Sequence, residues 1–343
     1  TGGRQLQLVQ EQHMNTLLTE TLGKLRLGPA QQAGNLTVFP LLATPNGGPD
    51  YLTLAAAMEP GTVSITEVSE GGSVPDLLAV NKGETAVLAL DGEELRGAKQ
   101  NRVLNTTILM AAHSEMVIPV SCTEQGRWAY ASEKFHDSKV VMTPKLRGSK
   151  LRSVRRSMET GRGHRADQGE VWNNVRAQNV SGDVHSPTGA MRDSYQSKAS
   201  ELDEYVQATE RQPEQCGLLA FVNGKVAGCD LVSRPEAYAE LHTKLTKSYA
   251  LDALLERKNR EAQPVSNEKA EAFLEDAQQC SVKQFDSVGL GADVHLESAN
   301  VTGSALVVEQ TVIHMALFAG TMSEQADRMA GYRRRRGFRG EST

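Results

Sequence analysis

The sequence is poor in several things that mark whole classes of protein. Cysteines number four in 343 residues, aromatics reach 5%, and tryptophans number two. Cys122, Cys216, Cys229 and Cys280 are too few and too widely spaced for a disulfide scaffold, and no Cys-x-x-Cys pair is present. The histidines (13, 113, 136, 164, 185, 242, 295, 314) share no short spacing with each other or with a cysteine, so no metal is expected. His295 and His314 fall inside predicted strands and read as satisfied histidines. No apolar run approaches the roughly 18 residues of a membrane span. The opening TGGRQLQLVQ lacks the basic-then-apolar form of a signal peptide, and reduced thiols in a cytoplasm are the expectation. There is no Gly-x-Ser-x-Gly elbow, no Gly-x-x-x-x-Gly-Lys loop and no His-Glu-x-x-His. Gly289 and Gly291 imitate part of a dinucleotide loop, but no helix is predicted after them, and no cofactor is assigned.

What is there is globular. Hydrophobic residues make up 39% and the net charge is −5, which argues against wholesale disorder. A chain this long buries about 75% of its extended surface. Residues 5–25 carry Leu6, Val9, Met14, Leu17, Leu18 and Leu22 at helical steps, which predicts an amphipathic arm packed on the body or on a neighbouring subunit. From 34 to 130 the period moves towards two. GNLTVFPLL reads as a strand stopped at Asn46-Gly47-Gly48-Pro49, and a short helix is expected at 53–59. VSITEVS, DLLAV, TAVLAL, RVLNTTILM and EMVIPVSC read as further strands. The turn Asn81-Lys82-Gly83 predicts a hairpin between DLLAV and TAVLAL.

Residues 134–165 hold ten Lys/Arg against Asp137 and Glu159, with helices expected near 146–158 and 168–178. Ser186-Pro187 is read as the start of a helix whose face is Met191, Tyr195, Leu202, Tyr205 and Val206. GLLAFV-Asn223-Gly224-KVAGCDL is the strongest hairpin signal in the chain. Ser233 to Glu236 spells a capping box before a helix with Tyr238, Leu241, Leu245 and Tyr249 on one face. A helix over 266–280 and the strands DVHLE, SALVVE and TVIHMALF follow. Segregated runs of this kind predict an α+β fold, with an antiparallel β-sandwich or barrel core and a helical layer. The expected division is an arm (1–23), a β-rich core (24–133), a basic helical region (134–216), a segment completing the core (217–318) and a flexible Arg-rich tail (319–343).

Two segments could carry chemistry. The first, DGEELRGAKQNRVLNTT (91–107), places carboxylates, cations and amides together at a strand end, as a pocket for a polar ligand requires. In an extended chain Glu93 and Glu94 point to opposite faces, so at most one faces a shared pocket. The second, SCTEQGRW (121–128), puts Cys122 and Glu124 on one side. An acid beside a thiol disfavours the thiolate, so Cys122 reads as structural, although His113 could fold back towards it. The plainer reading of the first segment is a solvated loop with internal Glu–Arg and Glu–Lys pairs, and Arg127 and Trp128 of the second could equally close the barrel end. The bases of 134–165 and of the tail (Arg333 to Arg336, Arg339) invite a nucleic-acid reading. The acidic balance of the whole chain argues against it, and pairing with the acid-rich 67–94 region competes.

ITEVSEGGSVPDLLAVNKGE, LDGEELRGAKQNRVLNTTIL, IPVSCTEQGRW, RPEAYAELHTKLTKSYALDAL and GSALVVEQTVIHMALF together resemble the family named for its association with ADP-ribosylglycohydrolases and rhodanese–phosphatase proteins. The resemblance runs from about 24 to 318 and omits the arm and the tail. It implies a link, through genomic company, with NAD or ADP-ribose metabolism; it transfers no reaction and no catalytic residue.

The first functional expectation is therefore a site that binds or processes an ADP-ribose- or NAD-type ligand. Glu93, Glu94 or Glu124 would serve as base or hold ribose hydroxyls. Lys99, Gln100, Asn101, Arg102, Asn105 and Arg127 would bind, and Trp128 would stack a ring. The alternative is a non-enzymatic protein that self-assembles as a homo-oligomer through the amino-terminal helix and the carboxy-terminal tail.

Overall fold

A computed structural model describes residues 2–43, 47–69, 71–257 and 264–320, with side chains described from Val9 onward. Asn46 and the Arg-rich tail lie outside the described residues. The fold is α+β, with antiparallel sheets that include one curled into a half-barrel. Its helices among the described residues are α1 (Gly2–Gly23), α2 (Leu54–Met58), α3 (Pro144–Glu159), α4 (Gln168–Ser181), α5 (Met191–Ser197), α6 (Ala199–Ala208), α7 (Pro235–Leu255) and α8 (Asn267–Gln278).

The largest sheet has nine strands. Leu36–Leu42, Gln215–Val222, Lys225–Val232, Thr311–Ala319, Val301–Val308, Ala292–Glu297 and Ser281–Asp286 lie side by side in that order. Its central strands Gln215–Val222 and Val301–Val308 are buried at every position because both faces are covered. On one face Phe39, Leu219, Phe221 and Met315 meet Leu18 and Leu22 of α1 and Phe273 and Leu274 of α8. On the other, Leu218, Ala220 and Ile313 meet Tyr238, Leu241, Leu245 and Tyr249 of α7. A six-stranded sheet runs Phe135–Val141, Glu93–Gly97, Arg102–Leu104, Ser114–Cys122, Asp76–Asn81, Val63–Glu67. Its strand Val63–Glu67 alternates buried and half-buried, as a sheet packed on one side does. Three short strands, Ile108–Met110, Ala86–Ala89 and Tyr51–Thr53, form a third sheet, whose last pair is parallel.

Several local signals act as expected. Asn223 (φ 51°) and Gly224 (φ 74°) make the tight turn of the hairpin, and Glu309 (φ 49°) with Gln310 (φ 65°) makes a second without glycine. Helices α3 and α7 begin on prolines. The arm is docked: Leu18 and Leu22 are buried on this chain's own body, whereas Val9 is 59% exposed.

Other expectations are corrected. DLLAV and TAVLAL do not pair: Asp76–Asn81 joins Ser114–Cys122 over six residues, and Ala86–Ala89 turns into the third sheet. RVLNTTILM is two strands, broken at Asn105–Thr107, that belong to different sheets. The capping box does not close, because Ser233 Oγ bonds Tyr51 Oη at 2.8 Å and no side chain caps α7. Ser186-Pro187 precedes a turn; the helix starts at Met191, is interrupted at Lys198, and Ser186 Oγ caps the turn by accepting from Ala190 N. Strand Phe135–Val141 opens the basic stretch, and the helix expected near 146–158 follows it as α3.

A buried ionic network ties the two large sheets together through α3. Arg147 donates to both oxygens of Asp230 at 2.8 Å and to Asp91 at 3.3 Å. Lys150 pairs with Asp91 and donates to the carbonyls of Leu104 and Asn105. Tyr249 of α7 donates to Asp230 at 2.7 Å. Thr107 Oγ1 accepts from Asp91 N and bonds His314 Nδ1 at 2.8 Å, and His314 Nε2 faces Asp230, whose carboxylate can only accept. Burial opposes the charge on Arg147, but Asp230 and Asp91 outweigh it and raise the guanidinium's pKa. Gly92 makes room: its φ is +81°, and a Cβ there would meet Arg147 Cδ and Cγ at 2.9 Å.

Removing one partner from such a network leaves charge stranded. Arg147→Met should cost about 3–5 kcal/mol in urea denaturation. Gly92→Ala should destabilise as well, through the left-handed backbone and the lost clearance.

Candidate functional site

The two polar segments meet because their strands are neighbours. Arg102–Leu104 lies between Glu93–Gly97 and Ser114–Cys122, and Arg102 stands opposite Cys122 in the ladder. Lys99, Gln100 and Asn101 fill the connection before Arg102, and Glu124 to Trp128 continue from the neighbouring strand. Adjacent strand ends thus deliver both sets of side chains to one edge of the sheet.

Glu124 and Arg127 are absorbed in holding the loop. Glu124 Oε2 accepts from Arg127 Nη2 at 2.6 Å and from Asn101 N at 3.2 Å, and Oε1 accepts from Thr188 Oγ1 at 2.9 Å. Arg127 also donates to Asn101 Oδ1 and to the carbonyls of Ala98, Ala129 and Gly97. Gln100 donates to the carbonyl of Glu124 at 3.0 Å. This pair clips the loop to the strand; neither side chain has much left for a ligand.

Arg102 is different. It is fully buried, its Nη1 donates to Gln100 Oε1 at 3.0 Å, and the Cys122 thiol stands beside it. Among the described residues Nε and Nη2 have no further partner. Burial lowers its pKa, with the fields of Cys122 and Glu67 acting the other way. Trp128, 50% exposed, lies over the guanidinium at 5.7 Å. Lys99 Nζ sits 5.4 Å from Trp128 and 5.1 Å from Tyr130, and donates to the carbonyl of Gly71 at 2.7 Å. The floor includes a residue outside the sequence-predicted set. Glu67 Oε1 accepts from Lys99 N at 3.3 Å, and its buried Oε2 has no donor among the described residues. Its signal was an acid in step with Val63 and Ile65, which strand alternation places on the buried face.

The remaining expected residues lie elsewhere. Glu93 and Glu94 point to opposite sides. Glu93 turns to Lys244 of α7 at 2.5 Å and accepts from Leu90 N. Glu94 is completely enclosed and accepts from Thr123 Oγ1 at 2.8 Å. Asn105 bonds the carbonyl of His164 and the hydroxyl of Ser121. His113 pairs with Glu84 rather than folding back towards Cys122. Lys99, Gln100, Asn101, Arg102, Glu124, Arg127 and Trp128 therefore share one place, and Glu93, Glu94 and Asn105 do not. Cys122 is buried, its thiol pushed up by that burial. The arrangement suits an anion held by buried N–H groups beneath an aromatic roof better than it suits proton transfer.

These features define an α+β protein that gathers Lys99, Arg102, Arg127 and Trp128 at the ends of neighbouring strands of its six-stranded sheet. The chain belongs to the family of the ARG and Rhodanese-Phosphatase-superfamily-associated Protein domain, ARPP-1, whose model matches residues 24–318. ARG denotes the ADP-ribosylglycohydrolase superfamily. No curated protein and no solved structure matches the chain. Among the described residues no helix is long and apolar enough to cross a membrane.

Burial pushes the Glu94 carboxyl from its ordinary 4.5 up to about 7, against the lowering by the Thr123 hydroxyl. A carboxyl whose pKa is higher folded than unfolded favours the fold while protonated. That contribution is full below about pH 4.3 and is lost as pH rises through about 7. Glu94→Gln, fixed in the neutral state, should therefore gain on the parent between pH 4 and pH 8, by up to about 3 kcal/mol. Denaturant midpoints at the two pH values measure this, and an offset that is the same at both would contradict it.

Proposed function

We propose that this chain binds a small anionic ligand carrying an aromatic ring, of the ADP-ribose or NAD type, with the anion on Arg102 and the ring against Trp128. The observation that carries the reading is the state of Arg102. Arg147 and Arg127 spend their donors on carboxylates and carbonyls, while buried Arg102 meets, among the described residues, only the Gln100 amide oxygen and the Cys122 thiol. A buried guanidinium without an acceptor is costly, and a phosphate oxygen pair fits its fork. Lys99 adds charge beside it, and Glu67 Oε2 can accept from a ligand hydroxyl. Trp128 and Tyr130 are half exposed and would lift to admit the ligand, then stack on it. Processing would need a free base; the nearest expected carboxylate, Glu124, is held by Arg127. The reading is thus binding first.

The two tryptophans make the test direct. In Trp172→Phe, Trp128 is the sole indole reporter. ADP-ribose, NAD, AMP and inorganic diphosphate should be titrated with fluorescence and calorimetry. A saturable change in Trp128 emission is expected, and Arg102→Met should weaken it about tenfold or more, as loss of charge-assisted hydrogen bonds predicts. No heat and no emission change with any of the four at millimolar concentration ends the reading.

Self-assembly through α1 has one supporting observation, the exposed Val9, while Leu18 and Leu22 are already covered within the chain. A scattering mass of one chain for the intact protein removes it.

A further inference from the structure

The short connection between α3 and α4 holds a histidine in a fixed pose. Gly161, in the left-handed region at φ 72°, closes α3: its N–H returns to the carbonyl of Met158, and Arg162 N returns to that of Ser157. Asp167 then opens α4 by accepting from Glu170 N. Between these ends Asn105 Nδ2 donates to the carbonyl of His164 at 3.0 Å. The backbone around His164 is thus held at both ends and in the middle.

The side chain is held as well. His164 Nε2 lies 3.0 Å from Asp293 Oδ2, which also accepts from Thr106 Oγ1 at 2.8 Å. Burial drives the Asp293 carboxyl upward, but His295 and His164 more than reverse this and keep it well below its usual range. A carboxylate can only accept, so the proton of neutral His164 sits on Nε2 and the lone pair on Nδ1. Nδ1 meets no hydrogen-bond partner among the described residues and is not sealed in; the His164 side chain is 12% exposed and that of Asp293 4%. The other histidines differ. His13, His136 and His185 are exposed, and His113 pairs with Glu84, itself 89% exposed. His242, His295 and His314 are buried. His164 alone joins a buried carboxylate on one nitrogen to an open second nitrogen.

Arg162 and Arg165 flank His164 in the chain, and both are exposed. Arg162 spends Nε on Thr160, and Arg165 reaches Asp76 only at 3.5 Å. A Cβ on Gly161 or Gly163 would meet nothing within 4 Å, so the connection stands in open space. A lone pair on an oriented ring, with a guanidinium close by on each side in the chain, suits attack on an anionic electrophile. An uncharged acyl group would make no use of the arginines.

We propose that His164 is a phosphoryl acceptor: its Nδ1 takes the phosphoryl group of a small phosphoramidate-type donor, with Asp293 as positioning residue and Arg162 and Arg165 binding the phosphoryl oxygens. The Nδ1 lone pair attacks phosphorus, the donor's P–N bond breaks, and the electron pair of that bond leaves on nitrogen. In phosphoramidate that nitrogen already carries three protons, so ammonia departs without further proton transfer. Nε2 keeps its proton, and the positive charge gained by the ring lies beside the Asp293 carboxylate. The site shares no residue with the one beneath Trp128 and does not depend on it.

The test is incubation of the full chain with phosphoramidate in mildly alkaline buffer, read by phosphorus NMR and by mass spectrometry of digests kept alkaline. His164 should be phosphorylated at least tenfold faster than His13, His113, His136 and His185. Its product should carry phosphorus on Nδ1, whereas unconstrained histidines collect it on Nε2, the nitrogen farther from the backbone. Asp293→Asn should slow His164 about tenfold, as loss of a charge-assisted hydrogen bond predicts, and should admit the Nε2 isomer. If that variant does not fold, the isomer formed on the parent chain decides. Arg162→Met combined with Arg165→Met should slow phosphoramidate at least tenfold and leave acylation of His164 by uncharged diethyl pyrocarbonate unaltered. The inference is overturned if His164 reacts no faster than the exposed histidines, if its product carries phosphorus on Nε2, or if both arginines can be removed without slowing phosphoramidate.

Discussion

The bidentate pair between Arg147 and Asp230 is the constraint on which the rest of the structure depends. Asp230 belongs to the nine-stranded sheet, Arg147 to α3, and Asp91, their shared neighbour, to the approach to the six-stranded sheet. Two sheets that could slide over an apolar contact are fixed by groups that must all be matched at once. Burial alone would penalise these charges by several kcal/mol each. Burial drives the Asp230 carboxyl upward, but Arg147 and His314 more than reverse it and hold the carboxylate well below its usual range. Geometry is therefore enforced by the penalty for mispairing. The path of the chain at Gly92 follows from the need to let Arg147 pass.

The network also changes the meaning of the basic stretch. Arg147 and Lys150 sit in the densest run of cations, and both are spent inside the protein. Arg155 reaches Glu159 and Glu297, and Lys145 reaches Glu256. A run that looks like a phosphate-binding face in one dimension is, in three, partly a set of struts. The pairing with acids of 67–94 that the sequence allowed is realised at Asp91.

The fold was legible where local chemistry decides the outcome. Asn223-Gly224 permits a tight turn at low cost, and the faces of α7 and α8 follow from apolar spacing. It was illegible where two partners compete. Asn81-Lys82-Gly83 is a credible turn, yet six paired residues with Ser114–Cys122 outweigh what the short Ala86–Ala89 strand offers. The capping box failed because Ser233 found Tyr51, a residue 182 positions away. At the site, the meeting of 99–102 with 124–128 follows from two strands being neighbours, which spacing does not encode. Asp91 and Asn105 look alike in the polar block, but the ionic network claims Asp91, and Asn105 bridges His164 and Ser121.

Three arginines show how polar density separates into structure and function. Arg147 answers to two carboxylates, Arg127 to a carboxylate, an amide and three carbonyls, and Arg102 to a single amide oxygen and the Cys122 thiol. Arg102 and Arg127 come from two polar segments read as one candidate site and Arg147 from the basic stretch, yet in sequence an arginine looks the same whether or not its donors are filled. Only the accounting of partners separates a strut from a receptor. A native fold leaves few such debts, because each one weakens it. Where one persists beneath a half-exposed aromatic, as at Arg102 under Trp128, a ligand that completes the set is the economical explanation.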